Sequence, residues 1–172
     1  MTVSLRVLVL EDRPEDAELI LLELRRGEIA PESLIVTNQR DFVQALELPW
    51  DVILADYRLP GFDAFAALDI LKQRGLDVPL ILVTATLGDE SAAECIKRGA
   101  ADYVLKDRVA RLGAAVTQVV NQHRLRAEGE RKLNAVRALN QGIFETSIDA
   151  IVVADQAQRI VIFSAGAEAI FG

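Results

Sequence analysis

Five short apolar runs, rich in β-branched residues, recur along the chain at residues 5–10, 34–37, 52–55, 80–83 and 103–105. None alternates apolar with polar positions, so each needs cover on both faces, as strands of a parallel sheet do. Helical spacing fills the gaps. Ala17, Ile20, Leu21 and Leu24 mark a first helix, and Phe42, Ala45 and Leu46 a second. Phe65, Leu68, Ile70 and Leu71 mark a third, and Ala92, Ala93 and Ile96 a fourth. Strand and helix in strict alternation predict a doubly wound, five-stranded parallel α/β domain over residues 1–120. Gly27, Pro31, Pro49, Gly75 and Gly99 are expected between elements as turn residues.

Composition closes off several classes of function. A net charge of -7 argues against a nucleic-acid surface. The longest nearly unbroken apolar stretch, residues 78–85, is too short to span a bilayer. Charges at Glu11 and Asp12 follow a very short first apolar segment, so no secretory signal is visible. A single cysteine, Cys95, excludes an internal disulfide framework and suits a reducing cytoplasm. With one histidine besides, a structural zinc site is excluded.

In a doubly wound sheet, the functional crevice lies outside the carboxyl ends of the strands. Those ends here carry Glu11 and Asp12, then Asp56, Thr84 and Lys106. Taken singly, each has a plain structural reading. Asp12, with Glu15 and Asp16, would favour the start of a helix at Pro14. Asp56 would be a turn residue, Thr84 a strand-end hydroxyl and Lys106 a solvated charge. Together they point elsewhere. Clustered carboxylates repel one another unless a cation neutralises them. An all-oxygen donor set suits a hard divalent ion, Mg²⁺ above all. A carboxylate beside such an ion, with Lys and Thr opposite, can act as nucleophile and become an acyl phosphate.

The segments "VLVLEDRPEDAELI", "DVILADYRLPGFDAF", "PLILVTA" and "GAADYVLKD" resemble the receiver domain of two-component response regulators across residues 4–120. The resemblance implies the flavodoxin-like strand order 2-1-3-4-5. It implies Asp56 as phosphoacceptor, with Mg²⁺ held by Glu11, Asp12, Asp56 and the backbone carbonyl of Arg58. It implies that Lys106 pairs with the phosphoryl oxygens, that Thr84 and the Ala85 N–H bind the attached group, and that Tyr103 is the switch aromatic. Two positions depart from the family pattern. Asp107 follows Lys106 where a proline with a cis peptide bond is usual, and Ala64 stands where glycine is frequent. Cys95 and Trp50 are expected in packing, and His123 facing solvent.

The apolar pattern continues through Leu112, Val116, Val119 and Val120, thins over 121–132, and resumes at Leu133, Val136, Asn140 and Ile143. One long helix is expected to leave the receiver, with residues 121–142 as a signalling linker able to form a short coiled-coil seam. Residues 143–172, "IFETSIDAIVVADQAQRIVIFSAGAEAIFG" among them, resemble the incomplete beginning of a PAS sensory domain. Strands at 150–154 and 159–164 and a helix from Ala165 are expected there, with Ser164 in place of a frequent asparagine.

These readings combine into a cytoplasmic phospho-switch that takes a phosphoryl group from a histidine kinase or phosphotransfer protein and passes the change to a PAS or output module. The parent would resemble a receiver-PAS sensor histidine kinase, with a cyclic-dinucleotide enzyme as second candidate. A weak homodimer through the linker is expected, with no nucleic-acid partner. The alternative is a degenerate receiver that docks proteins without phosphorylation. A phosphatase is disfavoured because no second aspartate stands two residues after Asp56.

Overall fold

The apolar runs become five strands of one sheet: β1 (Val3–Leu10), β2 (Ile29–Val36), β3 (Val52–Ala55), β6 (Leu80–Thr84) and β7 (Asp102–Leu105). Two-residue strands β4 (Arg58–Leu59) and β5 (Phe62–Asp63) form a separate antiparallel pair. The sheet order is β2-β1-β3-β6-β7, with every neighbour parallel. Counting the sheet strands alone, this is the 2-1-3-4-5 order that the resemblance implied. The computed structural model describes residues 2–85, 89–146, 152–154, 159–163 and 167, and excludes from that description the side chains of 89–93, 138–146, 153, 154 and 161–163.

Alternate strand residues feed two cores. Val7, Val9, Val52, Leu54, Ile81 and Val83 pack with Ile20 and Leu24 of α1 (Pro14–Arg26) and Leu112 and Val116 of α5 (Leu112–Thr146). Leu8, Leu10, Ile53, Ala55, Leu80 and Leu82 pack with Phe42 of α2 (Gln39–Ala45), Leu68 and Leu71 of α3 (Ala64–Gln73) and Cys95 of α4 (Asp89–Arg98). The sheet is therefore covered on both faces, which is why its strands read as apolar throughout. Trp50 packs against the second core while its Nε1–H donates to the Ala45 carbonyl at 2.8 Å.

The register fixes where the strands stop. Leu10 pairs with Val36 on one side and Ala55 on the other, and Thr84 pairs with Leu105. The next residues are held in turn: the Asp56 N–H donates to the Leu10 carbonyl at 2.8 Å, and the Glu11 N–H to Val36 at 3.1 Å.

Several expectations need correction. Strand β2 is longer than its apolar run and contains Pro31 opposite Leu5, since an edge strand has one side on which a missing N–H costs nothing. Among the described side chains of α4, Cys95 is buried while Ile96 is 44% exposed; Ala92 and Ala93 have side chains outside the described residues. Nor is His123 simply solvent-facing: its Nε2 lies 3.2 Å from Asp77, with the side chain 25% exposed. At the two positions that depart from the family pattern, where no conformation was expected in advance, Ala64 has no positive φ and the Lys106–Asp107 peptide is trans.

The chain divides into two compact units, Met1–His123 and Arg124–Gly172. In the second, α5 continues to Thr146, with Leu125, Leu133 and Val136 exposed. Strands β8 (Val152–Ala154) and β9 (Ile160–Phe163) form an antiparallel pair near the expected positions. Ser164, Ala165 and the side chains of Asn140 and Ile143 lie outside the described residues.

The turn after α1 divides its work unexpectedly. The left-handed residue is Glu28, at φ 59°, while Gly27 has an ordinary φ of -81°. Gly27 is needed for close approach, since a Cβ there would lie 2.7 Å from the Gly113 Cα at the start of α5. Gly27→Ala should therefore destabilise the protein by about 1–3 kcal/mol, as overpacking against backbone does. Glu28→Gly, which relieves the left-handed backbone, should be neutral or stabilising by up to about 1 kcal/mol. Urea denaturation of the two variants checks both signs.

Candidate functional site

Three strand ends and one helix turn bring their charges together. Glu11 follows β1 and is buried to 1% exposure, while Asp12 beside it is exposed. Asp56 follows β3, and Lys106 follows β7 at the head of a short 3₁₀ stretch, Lys106–Arg111. The Lys106 ammonium donates to Glu11 Oε2 at 2.8 Å, Asp16 Oδ2 at 2.7 Å and Asp56 Oδ2 at 3.0 Å. An ammonium has three N–H donors, and three carboxylates take them.

The second carboxylate oxygens of Glu11 and Asp56 accept from backbone donors. The Arg13 N–H donates to Glu11 Oε1 at 3.1 Å, and the Tyr57 N–H to Asp56 Oδ1 at 2.6 Å. Pro14 at the first helical position starts α1 so that Glu15 and Asp16 occupy its first turn. Glu11 is pulled both ways. Burial raises its carboxyl pKa, the Lys106 and Arg13 hydrogen bonds lower it, and the net direction is up. For Lys106, burial lowers the pKa, but hydrogen bonds to Asp16, Glu11 and Asp56 outweigh it and carry the pKa above the ordinary lysine value.

Glu11, Asp12 and Asp56 each offer an oxygen within 4.8 Å of the others. Oxygen-only donors with this much negative charge fit a hard divalent cation such as Mg²⁺. Two of the three also hold Lys106, so the cluster is already partly neutralised by the ammonium.

The other sequence-derived residues have surroundings of their own. Thr84 is buried at the end of β6, and Ala85 follows as an exposed bend. Tyr103, on β7, is partly buried against the core beneath α2 and α3. Arg58 opens β4 and lays its guanidinium 5.5 Å from the Tyr57 ring centre. Asp16 was missed as a site residue, because in the sequence it resembles any acidic residue in a first helical turn. The available signal was its place in the first turn after Pro14, on a helix that follows directly from Glu11 and Asp12 at the end of β1.

Residues 7–117 match the family model described as Response regulator receiver domain. The chain is 29% identical over 122 residues to the Klebsiella pneumoniae phosphate regulon transcriptional regulatory protein PhoB, covering 66% of this chain and 52% of that protein. It is 32% identical over 101 residues to the Escherichia coli transcriptional regulatory protein BaeR, covering 59% of this chain and 41% of that protein. The chain thus spans about half the length of these relatives, or less, and both are named as transcriptional regulators rather than sensor kinases. Among solved structures, the Francisella response regulator 1452 receiver domain superposes with a TM-score of 0.61 at 23% identity, covering 69% of this chain and 98% of that one. A response regulator receiver domain protein from Clostridium thermocellum gives 0.60 at 21%, covering 70% and 98%; these likenesses concern the fold.

The raised Lys106 pKa has a stability consequence of fixed sign. A lysine whose folded pKa exceeds its unfolded value contributes fully below the unfolded value and loses that contribution as pH rises through the folded one. Without metal, Lys106→Met should lower stability by about 3 kcal/mol at neutral pH, since it strands buried carboxylates. The gap from wild type should hold to about pH 10.5, the ordinary lysine value, and close above it. Urea titrations at stepped pH measure this, and a gap already closing near neutrality would contradict the raised pKa.

Proposed function

The chain belongs to the response regulator receiver domain family, and from that premise we propose that it is a phosphorylation-dependent switch with Asp56 as phosphoacceptor. The observation that carries the reading is Asp56 itself: a partly exposed carboxylate at the end of a central strand, one oxygen bound to a backbone N–H and the other to Lys106. An Asp56 carboxylate oxygen attacks the donor phosphorus. The P–N bond of a phosphohistidine, or the P–O bond of a small donor, breaks; its electron pair leaves with the donor, and the product is an acyl phosphate. A carboxylate oxygen attacks through its own lone pair, and the step as written transfers no proton to a general base.

Glu11, Asp12, Asp56 and the Arg58 carbonyl are the proposed Mg²⁺ ligands. When bound, the ion would supply electrostatic stabilisation of charge building on the phosphoryl oxygens. Lys106 adds a second positive charge beside Asp56, and transfers no proton. Thr84 and the Ala85 N–H are assigned to the attached phosphoryl group, and Tyr103 to the aromatic that responds as Thr84 moves. The proposed donor is a histidine kinase or phosphotransfer protein, in a cytoplasmic setting. No described helix is long and apolar enough to cross a membrane.

We further assign residues 1–120 to the receiver, 121–142 to a helical signalling linker and 143–172 to the beginning of a PAS-like module. The exposed Leu133 and Val136 on α5 support a partner-seeking linker, and the β8–β9 pair supports a sheet-forming segment. Passing the phosphorylation state to such a module requires an element with two arrangements that both ends can bias. Weak parallel association of two linkers would serve as that element.

Three experiments test these assignments. Incubation with a small phosphodonor and Mg²⁺ should add one acid-stable, base-labile phosphate to wild type and none to Asp56→Asn. In parallel, Asp12→Ala should raise the metal-free melting temperature by relieving carboxylate repulsion and abolish the Mg²⁺-dependent rise. Equal uptake by Asp56→Asn would favour the docking-module alternative, and an equal Mg²⁺ response in Asp12→Ala would place the ion elsewhere. For the linker, sedimentation should show a weak homodimer whose affinity changes on phosphorylation. The double variant Leu133→Asp, Val136→Asp should abolish it; a strictly monomeric wild type in both states would reduce the linker to a spacer.

A further inference from the structure

Asp16 makes the shortest of the three hydrogen bonds to the Lys106 ammonium, at 2.7 Å. Its side chain is 18% exposed, and on the solvent side the Arg13 guanidinium lies 3.6 Å from the same oxygen. The two other acceptors of Lys106 both have further work in the proposed reaction. Asp56 forms the bond to phosphorus and gives up its carboxylate charge on becoming an acyl phosphate. Glu11 is among the proposed metal donors. Asp16 is neither phosphoacceptor nor a member of the Glu11, Asp12, Asp56 oxygen cluster.

We propose that Asp16 is a positioning residue for Lys106, the fixed anionic anchor that keeps the ammonium beside Asp56 throughout phosphoryl transfer; this rests on the phosphoacceptor reading above. Lysine carries a compact charge on a flexible four-carbon stem with rotatable donors, so one contact fixes its distance but not its direction. If Asp56 and Glu11 turn to the phosphoryl group and the metal, Asp16 keeps one N–H while the other two become available to phosphoryl oxygens. The first turn of α1 is well suited to hold that anchor. Pro14 fixes the helix start, and Ala17, Ile20 and Leu24 on the same helix are buried. The covalent step is unchanged: the O–P bond forms at Asp56, the donor leaves with the electron pair, and Asp16 touches none of the reacting atoms.

The test uses the full chain with a small phosphodonor and Mg²⁺, comparing wild type, Asp16→Asn, Asp16→Glu, Lys106→Ala and the double variant Asp16→Asn, Lys106→Ala. Asp16→Asn should slow phosphoryl uptake about 10- to 100-fold, the range expected when a reacting partner is displaced without being removed. Its Mg²⁺ midpoint, read from thermal shifts, should move far less than that of Asp12→Ala. The double variant should be no slower than Lys106→Ala alone, because Asp16 acts only through Lys106. Asp16→Glu, which keeps the charge, should recover part of the rate. A second readout needs neither metal nor phosphate: a protected Lys106 ¹⁵Nζ signal in NMR of the metal-free protein should be lost in Asp16→Asn. Wild-type uptake by Asp16→Asn, an undiminished Asp16 effect in the Lys106→Ala background, or an unchanged ¹⁵Nζ signal would each overturn the proposal. If wild type itself takes no phosphate at Asp56, the phosphoacceptor reading fails instead, and the NMR comparison still decides the anchor.

Discussion

One ammonium makes this edge of the sheet tenable. Glu11 and Asp56 end adjacent strands whose register leaves them side by side, and Asp16 approaches from α1. Three carboxylates this close and this little exposed repel one another and lose hydration. The side chains of Glu11, Asp16 and Asp56 are 0%, 18% and 16% exposed, so water cannot supply the missing screening. Lys106 does so, and it is committed to that work by a pKa held above the ordinary lysine value. A buried network of this kind is costly to desolvate and adds little net stability over an apolar alternative. Its presence at the end of an otherwise apolar sheet is better understood as chemistry than as stabilisation. Strongly perturbed groups gathered at strand ends are the usual mark of a working site.

The fold was legible because its main constraint is written in the composition of the strands. Residues 52–55 and 80–83 are apolar on every position, and this admits only a strand covered on both faces. Where a strand is not so constrained, the sequence misled. β2 lies at the edge, leaves Leu34 and Ile35 exposed, and tolerates Pro31, so only its end resembled a strand. The turn at Gly27 was expected and is present, but the reason for its glycine was hidden: it is required by Gly113, a residue distant in sequence that no local pattern reveals. His123 was misjudged in the same way, since Asp77 approaches from a loop far upstream.

Within the site, legibility tracked the strand ends. Glu11, Asp12, Asp56 and Lys106 could be picked out because the residue after a parallel strand is placed by the sheet itself, whatever the loops do. Asp16 could not, because a helix side chain reaches the edge only if the helix start is fixed to within a residue, and Pro14 does that here. The donors from Arg13 and Tyr57 were equally hidden. Both are backbone N–H groups, and a sequence carries no record of where these point.

The segment from Lys106 to Gly113 is fastened to α1 at both ends. At one end Asp16, in the first turn of α1, grips the Lys106 ammonium. At the other, Gly27 just past the end of α1 meets Gly113 at backbone contact. Between them the 3₁₀ stretch departs from helical geometry at Arg108, with φ -122° and ψ 28°. Arg111 ties the same stretch back to β7 through Asp102 and the Tyr103 carbonyl. The first turn of α5 therefore has its position set by two neighbours, α1 and the end of β7. A change of charge at Asp56 acts on Lys106, the residue from which this clamped segment starts. The close glycine approach limits movement of the far end toward α1, and Arg108 is the non-helical residue between the two ends. On the proposed reading, the influence of a phosphoryl group at Asp56 on α5 would pass through these eight residues and the Asp16–Lys106 pair.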